Sequence, residues 1–459
     1  MGILSRQNPN IDKEVYYVPS TKNTEILCAI LSTGAAKGHE IFPGPLFSKD
    51  IKRWSLRNVI LQAVMMSYDP SSSLKDRFEN ARRGLIEMFP REKRPGQSYQ
   101  GFVKARRNVP VSTRKSLSRH LQHEHRQAAG KYWRRHGWVP LAADGSRLEV
   151  PRTAANEAAF GCAGRQKTGP QLAVTVLYHM GTGLPWDWRI GAGTESERGQ
   201  LRQMLGSLPK DSLLVADAGF TGYELFGALL QQGLSFLIRV GSNVTLLRDL
   251  GLEVERKGRR VWLWPLARRD QAPLELRLIR LKSKTRCKWS RSRREVYLLT
   301  NVFEESRLSE EQAAQLYRMR WGVEVFYRSF KQTLEQRKLR SRAPAPAGEE
   351  LHWALTALLL LSLMSVQTLV QQGIDPLRLS VSDALRVVRR AMSSFSVWRY
   401  KGDLRVRLCK SLKDQYRRHG SKQARDWPHK KSESPPGAPK IRPAKPEEIL
   451  CAKRICNGA

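Results

Sequence analysis

The alternation of short apolar segments with helical segments between residues 138 and 240 constrains the fold more than any other feature of the chain. The segments typical of buried strands are residues 138–144, 172–178, 184–190, 212–217 and 235–240. Thr194 and Glu197 have the spacing of a capping box, which predicts a helix through Leu208. A second helix is expected over residues 222–232. Elements in this order predict an α/β layer with a mixed sheet.

The net charge restricts the partners that the chain can have. Lys and Arg number 80 against 42 Asp and Glu, which gives a formal net charge of +38. The hydrophobic fraction of 41% and the charged fraction of 27% are those of a globular protein, and they exclude a wholly disordered or fibrous chain. Basic residues dominate three separate blocks, 91–135, 255–294 and 401–459. This distribution predicts a long polyanion as partner, with nucleic acid favoured over an anionic membrane surface.

Cysteine usage and the apolar segments predict a cytoplasmic protein. The six cysteines are scattered without a CxxC pair, as expected of reduced thiols, and the first residues lack the apolar segment of a signal peptide. The most apolar segment, residues 353–370, is almost long enough to span a membrane but contains Thr, Ser and Gln. We interpret it as a helix buried in a large core, and we expect no membrane partner.

Two aspartates stand at the ends of predicted strands. Asp144 ends the segment LAAD, and Asp217 ends the segment LLVAD. A carboxylate at the C-terminal edge of a buried strand faces the crevice in which α/β sheets bind ligands. One such aspartate is more often a turn or cap residue, whereas two in one sheet indicate a shared site.

A helix predicted from Leu308 to about Arg340 carries four functional groups on one stripe. Ser309 and Gln312 have capping-box spacing at its start. The four groups, at positions i, i+3, i+7 and i+14, are Tyr317, Arg320, Glu324 and Lys331. At about 100° per residue they fall within an arc of about 60°. A solvated, salt-bridged stripe would have this spacing too. However, the stripe has a single acid beside three hydrogen-bond donors that suit phosphate, which favours a phosphate held beside a metal-binding carboxylate.

The spacing of these four residues resembles the YREK signature of the insertion-sequence-four type of bacterial DDE transposases. Other motifs agree with it: Asp144-Gly-Ser, Asn156-Glu-x-x-Phe160-Gly161 and Asp217-Ala-Gly-Phe220. The resemblance covers about residues 138–370. It implies that the catalytic, metal-binding carboxylates are Asp144, Asp217 and Glu324. It also implies that the residues contacting DNA phosphate are Tyr317, Arg320 and Lys331.

The resemblance also implies a fold and a division of the chain. The fold is α/β: a ribonuclease-H-like catalytic core with a mixed sheet, interrupted by a β-rich insertion between the second Asp and the Glu. Alternating segments predict strands inside that interval, at residues 260–264, 274–281 and 295–300. The expected units are a helical DNA-binding region (1–135), the first part of the core (136–242), the insertion (243–303), the second part of the core (304–400) and a basic, flexible tail (401–459).

The chemistry implied by the resemblance is metal-dependent cutting and joining of transposon-end DNA. Two Mg²⁺ ions, for which Mn²⁺ can substitute, would activate water and then a 3′-hydroxyl for attack on phosphodiesters, through a DNA hairpin. The implied partners are double-stranded inverted-repeat ends and target DNA, bound by a homodimer in the bacterial cytoplasm, at the nucleoid. The alternatives are a non-catalytic DNA-binding derivative and a ribonuclease-H-like nuclease without strand transfer. The complete carboxylate set argues against the first, and the YREK stripe argues against the second.

Several aromatic, histidine and cysteine residues have more than one interpretation. The resemblance implies that an aromatic residue of the insertion stacks on a flipped base. The candidates are Trp289 and Tyr297, while Trp262 or Trp264 could equally belong to the core. The motif HLQHEH, with His120, His123 and His125, lacks zinc-protease spacing, and we interpret it as part of a solvated helix. Cys451 and Cys456 have no second pair with which to bind zinc.

Overall fold

The computed structural model describes residues 54–89, 93–163, 169–252, 260–287, 290–393, 404–414 and 436–457. The helices in chain order are α1 (Leu56–Tyr68), α2 (Leu74–Met88), α3 (Tyr99–Arg107), α4 (Val111–Ala129), α5 (Ala154–Phe160), α6 (Glu197–Arg202), α7 (Tyr223–Gln231), α8 (Glu310–Met319), α9 (Trp321–Arg328), α10 (Pro344–Gln371), α11 (Val381–Ser393), α12 (Leu404–Cys409) and α13 (Pro446–Asn457). The strands are β1 (Val139–Glu149), β2 (Gln171–His179), β3 (Leu184–Ala192), β4 (Ser212–Ala216), β5 (Ser235–Val240), β6 (Thr245–Arg248), β7 (Arg260–Leu263), β8 (Leu274–Cys287), β9 (Ser290–Thr300) and β10 (Lys440–Pro443).

The described strands form one mixed sheet of ten strands, in the order β10-β6-β7-β8-β9-β5-β4-β1-β2-β3. Strands β1, β2 and β3 are an antiparallel meander, and β4 and β5 continue it in parallel with β1. Two apolar clusters cover opposite faces of this part: one includes Leu201 of α6, and the other includes Val323 of α9. The prediction of an α/β layer with a mixed sheet is confirmed.

Strand β1 is longer than the sequence indicated. The apolar pattern ended at Asp144, but β1 continues to Glu149 because its second half still pairs with β2, up to Glu149 opposite Gln171. Its pairing with β4 stops earlier, at Ala143 opposite Ala216. Asp144 therefore lies inside a strand, at the point where one neighbouring strand ends.

The predicted insertion is rich in strands but is not a separate sheet. Strand β9 pairs antiparallel with β5, so that β6–β9 extend the sheet of the core. Trp262 and Trp264 are 2% exposed and pack in an apolar cluster, which assigns both to the core. The sequence did not indicate that β6–β9 extend the core sheet, because strand order depends on pairing between distant residues.

The C-terminal segment departs from the expected flexible tail over the residues that the structure describes. Leu404 and Leu408 of α12 are buried, and β10 pairs in parallel with β6 at the edge of the sheet. Helix α13 follows, and its Ala452 packs in the same cluster as Trp262 and Trp264. The high Lys and Arg content hid these few buried positions. Residues 415–435 lie outside the described residues.

Helix α10 joins the N-terminal helices to the rest of the chain. It packs against α1, α3, α4 and β3, and the Tyr68 hydroxyl donates to the carbonyl oxygen of Ala357 at 2.7 Å. Among the described residues, one helix, α10, is long and apolar enough to cross a membrane. Of its most apolar segment, 89% is buried inside the protein. The prediction of a buried helix is confirmed.

The buried side of α4 corrects our interpretation of the histidine motif. His125 is 1% exposed, and its Nε2 lies 2.7 Å from the Thr182 hydroxyl, which also contacts His179. Burial lowers the pKa of His179 to about 4 and that of His125 well below its ordinary range, so both are neutral near pH 7. The polar residues around His125 hid this buried position.

The helix predicted from Leu308 to about Arg340 is shorter and is interrupted. Its capping box is confirmed, since Ser309 and Gln312 exchange hydrogen bonds at 3.1 and 3.2 Å. Helix α8 ends at Met319, α9 begins at Trp321, and a π-helical turn, Ser329–Thr333, ends the segment. The positive φ of 56° at Glu335 turns the chain away.

Candidate active site

Asp144 and Asp217 are neighbours because of the register of β1 and β4. The last parallel pair is Ala143 with Ala216, and each aspartate follows its alanine directly. Asp217 caps a short 3₁₀ turn, where its Oδ1 accepts from the backbone N–H of Gly219 at 2.9 Å. The Oδ1 of Asp144 accepts from the backbone N–H of Gly145 at 3.0 Å. The strands therefore bring the two predicted carboxylates to one edge.

The environment of Asp144 opposes its ionisation. Burial raises the pKa of Asp144 from 3.8 to about 7, and the charges of Asp217 and Glu197 act in the same direction, while the Arg320 guanidinium opposes them. A carboxylate held in this way is favoured as an anion only when further positive charge lies nearby.

The raised pKa of Asp144 predicts a pH-dependent stability. Because the unfolded chain releases this proton near pH 3.8 and the folded chain near pH 7, the folded state loses stability as the pH rises from about 4 to about 7. Asp144→Asn cannot ionise, so its gain in melting temperature over wild type should grow across that range and level off above it. Thermal denaturation without divalent metal, from pH 4 to pH 8, measures this gain. A gain of equal size at every pH would contradict the prediction.

Helix α9 is fixed on β1 by one buried side chain. The Tyr327 hydroxyl lies 2.9 Å from the carbonyl oxygen of Asp144 and 3.2 Å from that of Val174, and Tyr327 is 6% exposed. Glu324 lies one turn before Tyr327 on the same helix. Its Oε1 accepts from Arg320 Nη2 at 2.7 Å. Helix α9, which carries Glu324, thus packs on β1, and the Glu324 carboxylate is paired with a guanidinium.

The other two residues of the stripe reach the same edge. The Tyr317 phenol lies within electrostatic range of Arg239 of β5 and of Asp217. Burial lowers the pKa of Lys331, which lies on the π-helical turn within electrostatic range of Asp144. The three donors of the stripe therefore each lie within electrostatic range of one of the two aspartates, in spite of the break at Arg320. Arg239 was not predicted, because nothing in the sequence relates it to Tyr317.

The donor chemistry of this edge fits a divalent cation. Asp144 and Asp217 offer hard oxygen ligands at adjacent strand positions, the type that Mg²⁺ prefers. Arg320, which hydrogen-bonds Glu324, also lies within electrostatic range of Asp144, so that positive charge stands near both acids. Within the described ranges, no three Asp, Glu, His or Cys side chains are close enough to surround an ion. The structure brings Asp144 and Asp217 together and holds Glu324 on Arg320.

Comparison with known proteins finds similarity to transposases. The family model described as transposase DDE domain matches residues 139–360. The transposase InsG for insertion sequence element IS4, from Escherichia coli strain K12, is 24% identical over 317 residues, which are 65% of this chain and 68% of that protein. Residues 139–360 are thus similar to the transposase DDE domain, and the chain is similar to a transposase of the insertion-sequence-four type. The predicted resemblance is confirmed, and the transposases of this family use divalent metal ions.

A solved structure is also similar to this transposase. It is a cryo-EM structure of the piggyBac transposase synaptic complex with hairpin DNA, with 14% identity and a TM-score of 0.40. The match covers 88% of this chain and 85% of that one.

The candidates for base stacking stay a prediction, and the described aromatic residues near the site differ in their surroundings. Trp289 lies outside the described residues. The Tyr297 hydroxyl donates to Glu295, and the Arg280 guanidinium lies 5.9 Å from the centre of its ring. Trp321 is 56% exposed and directly follows Arg320. Trp321 is the first residue of α9, directly after the break between α8 and α9.

The start of α6 corrects the predicted capping box and reveals another acid. The N-cap is Ser196 rather than Thr194, and Glu197 is the first helical residue. The Glu197 carboxylate lies within electrostatic range of Asp144 and Asp217. Because its spacing is typical of a capping box, Glu197 was predicted as a capping residue and not as part of this site.

Proposed function

We propose that this transposase cuts and joins transposon-end DNA by divalent-metal-dependent hydrolysis and transesterification of phosphodiesters, through a hairpin intermediate. The observation that supports this most is the meeting of Asp144 and Asp217 at an edge near Arg320, whose guanidinium pairs with Glu324 of α9. Strands β1–β5 would be the ribonuclease-H-like core. The substrate would be double-stranded DNA at inverted-repeat ends and at the target.

The carboxylates would hold the metal and the basic residues would hold the DNA. Asp144, Asp217 and Glu324 would bind Mg²⁺, or Mn²⁺ in its place. When bound, the ion supplies activation of the attacking oxygen and stabilisation of the leaving oxygen. A phosphate that reaches Arg320 offers it a second anionic partner for a bidentate contact. Glu324 is then released from Arg320 toward Asp144, so that DNA binding completes the carboxylate set.

The remaining residues of the stripe would position the DNA for hairpin formation. The Tyr317 hydroxyl and the Lys331 ammonium lie at the same edge as Arg320 and are suited to phosphate contacts. A sharply bent hairpin is relieved when a base leaves the stack, and an exposed aromatic ring can hold that base. Trp321 is the described residue that fits this role, beside the earlier candidates Trp289 and Tyr297.

Substitutions at Tyr317 and Trp321 should affect hairpin formation more than first-strand nicking. Neither removes a metal ligand. Tyr317→Phe loses one hydrogen bond to a charged group, worth about 1.5–3 kcal/mol, or roughly 10–150-fold in rate. Trp321→Ala loses base stacking worth about 1–3 kcal/mol. A time course of nicked, hairpinned and joined products on labelled end DNA with Mg²⁺ measures each step.

Tyr223→Phe is the matched control for Tyr317→Phe, because the Tyr223 hydroxyl on α7 donates to the backbone carbonyl of Ala272 and not to a group of the stripe. Its time course should equal that of wild type. Equal losses of nicking and hairpin formation in both test variants would mean that the stripe only supports the fold or the metal site. The base-holding role would then be rejected.

The setting of the reaction follows from the charge and the family. We propose a homodimer on paired transposon ends, acting in the bacterial cytoplasm at the nucleoid, with residues 1–135 recognising end DNA. Most of the charge of +38 would contact phosphates and supply affinity that falls steeply with salt. Because α10 packs against α1, α3 and α4, end recognition is better tested with surface Lys and Arg substitutions in this region than by its deletion.

A further inference from the structure

Glu197 and Glu324 approach the β1 edge from opposite faces of the sheet. Leu201 of α6 packs in the cluster that contains Ala143, whereas Val323 of α9 packs in the cluster that contains Ala142. Glu197 begins α6 and lies within electrostatic range of Asp144 and Asp217. A carboxylate from each face is thus directed to the edge where the two aspartates meet.

The residue after Asp144 makes the approach of Glu197 possible. A Cβ atom built on Gly145 would lie 2.5 Å from Glu197 Oε1. Real Cβ atoms do not come so near to other atoms, so any side chain at position 145 would displace the Glu197 carboxylate. Glycine permits the close approach of another group to the backbone. The strand is therefore shaped to receive this carboxylate next to Asp144.

Glu195, in the same region, is a carboxylate with a purely structural role. A Cβ atom on Gly191 would likewise lie 2.5 Å from Glu195 Oε1. That carboxylate accepts from the backbone N–H of Ala192 at 3.2 Å and from Gln200 Nε2 at 3.1 Å. Its hydrogen-bonding capacity is used within the fold.

The Glu197 carboxylate, one third exposed, has no such partners among the described residues. Its nearest basic group is Arg147 Nη1, at 3.7 Å from Oε1, which is too long for a hydrogen bond. Asp144 and Asp217 accept only backbone N–H groups within the described ranges. Carboxylates with unused oxygens and mutual repulsion at one edge are stabilised by a bound cation.

We propose that Glu197 is a fourth carboxylate of the cation site, together with Asp144, Asp217 and Glu324. This inference rests on the proposed function, since it requires Asp144 and Asp217 to bind a divalent cation. The site would take carboxylates from both faces of the sheet, and Gly145 leaves the space for the Glu197 carboxylate on α6. Glu197 would bind the cation directly or through a water on it.

Binding of Mn²⁺ to the metal-free transposase, followed by electron paramagnetic resonance, tests the inference without catalysis. Glu197→Gln keeps the shape and removes the charge, and it should weaken Mn²⁺ binding about 10–100-fold, the range found when groups around a metal are removed. Glu195→Gln, the matched control, should bind Mn²⁺ as wild type does. Gly145→Ala should weaken binding in the same direction as Glu197→Gln, because it displaces the same carboxylate.

Thermal denaturation distinguishes a cation-binding role of Glu197 from a structural role. Without metal, Glu197→Gln should melt at the wild-type temperature or above it, because one of three repelling charges is removed. The increase in melting temperature on adding Mn²⁺ should be smaller than in wild type. A lower melting temperature without metal, together with wild-type Mn²⁺ affinity, would show a structural residue and overturn the inference.

Asp144→Asn distinguishes failure of this inference from failure of the proposed function. If wild type binds Mn²⁺, Asp144→Asn does not, and Glu197→Gln binds as wild type, then Glu197 is not part of the site although the proposed function stands. If wild type itself binds no Mn²⁺ at this edge, with or without end DNA, the proposed function fails and the inference fails with it.

Discussion

Asp144→Ala and Asp217→Ala are each expected to lower cleavage of transposon-end DNA by roughly 10³-fold or more, because each removes a carboxylate that holds the metal. Binding to the same DNA should persist, since it depends mainly on Lys and Arg contacts with phosphate. Cleavage of labelled end DNA with Mg²⁺ and a mobility-shift assay without metal measure the two properties separately.

The matched control is Asp270→Ala, which removes an exposed aspartate of the insertion, away from the β1 edge. It should cleave and bind as wild type does. Cleavage by Asp144→Ala or Asp217→Ala at more than about one tenth of the wild-type rate would remove these residues from the chemistry. Loss of DNA binding in parallel with cleavage would show that the substitution had damaged the fold.

The second large effect concerns stability. Leu361→Ala in α10 should lower the free energy of unfolding by about 2–5 kcal/mol, because it leaves a cavity at a fully buried position, 0% exposed, in a well-packed core. Helix α10 contacts the N-terminal helices and β3, so the loss should appear in a single cooperative transition of both parts. Urea denaturation followed by circular dichroism measures it.

Leu450→Ala is the control, since Leu450 of α13 is 66% exposed. The same chemical change should alter the free energy of unfolding by no more than about 0.5 kcal/mol. Equal effects of the two substitutions would mean that α10 is not the core helix of this fold. Two separate transitions in wild type would show that the N-terminal helices fold independently of the DDE domain.

Local sequence patterns were sufficient to predict much of the fold. Alternating apolar residues located β2, β3, β4 and β5 closely, and the capping box located the start of α8. These features depend on residues near each other in sequence, which is why they could be read directly. The apolar segment at residues 353–370 was recognised as a core helix because polar residues interrupt it.

Features that depend on distant partners were missed. Strand β1 continues past Asp144 because β2 pairs with its polar second half. Strands β6–β9 extend the core sheet through one edge pairing, between β5 and β9. Strand β10 joins that sheet from a segment whose composition indicated a tail. In each case the stabilising contact comes from a residue far away in the chain, and composition does not reveal it.

The candidate site was predicted in part for the same reason. Asp144, Asp217 and the stripe from Tyr317 to Lys331 were found by strand position and helical spacing. Glu197, Arg239 and Trp321 were missed because their places depend on tertiary contacts or on the helix break at Arg320. A glycine directly after Asp144 was the one local signal of the space that Glu197 occupies.

The most direct test of the account is a crystal structure of the transposase bound to end DNA and Mn²⁺, with anomalous diffraction to locate the metal. We expect an anomalous peak among the carboxylates of Asp144, Asp217 and Glu324, and we expect the Arg320 guanidinium to bind a DNA phosphate and no longer Glu324. A peak away from Asp144 and Asp217, or Glu324 still paired with Arg320 while the metal is bound, would contradict it.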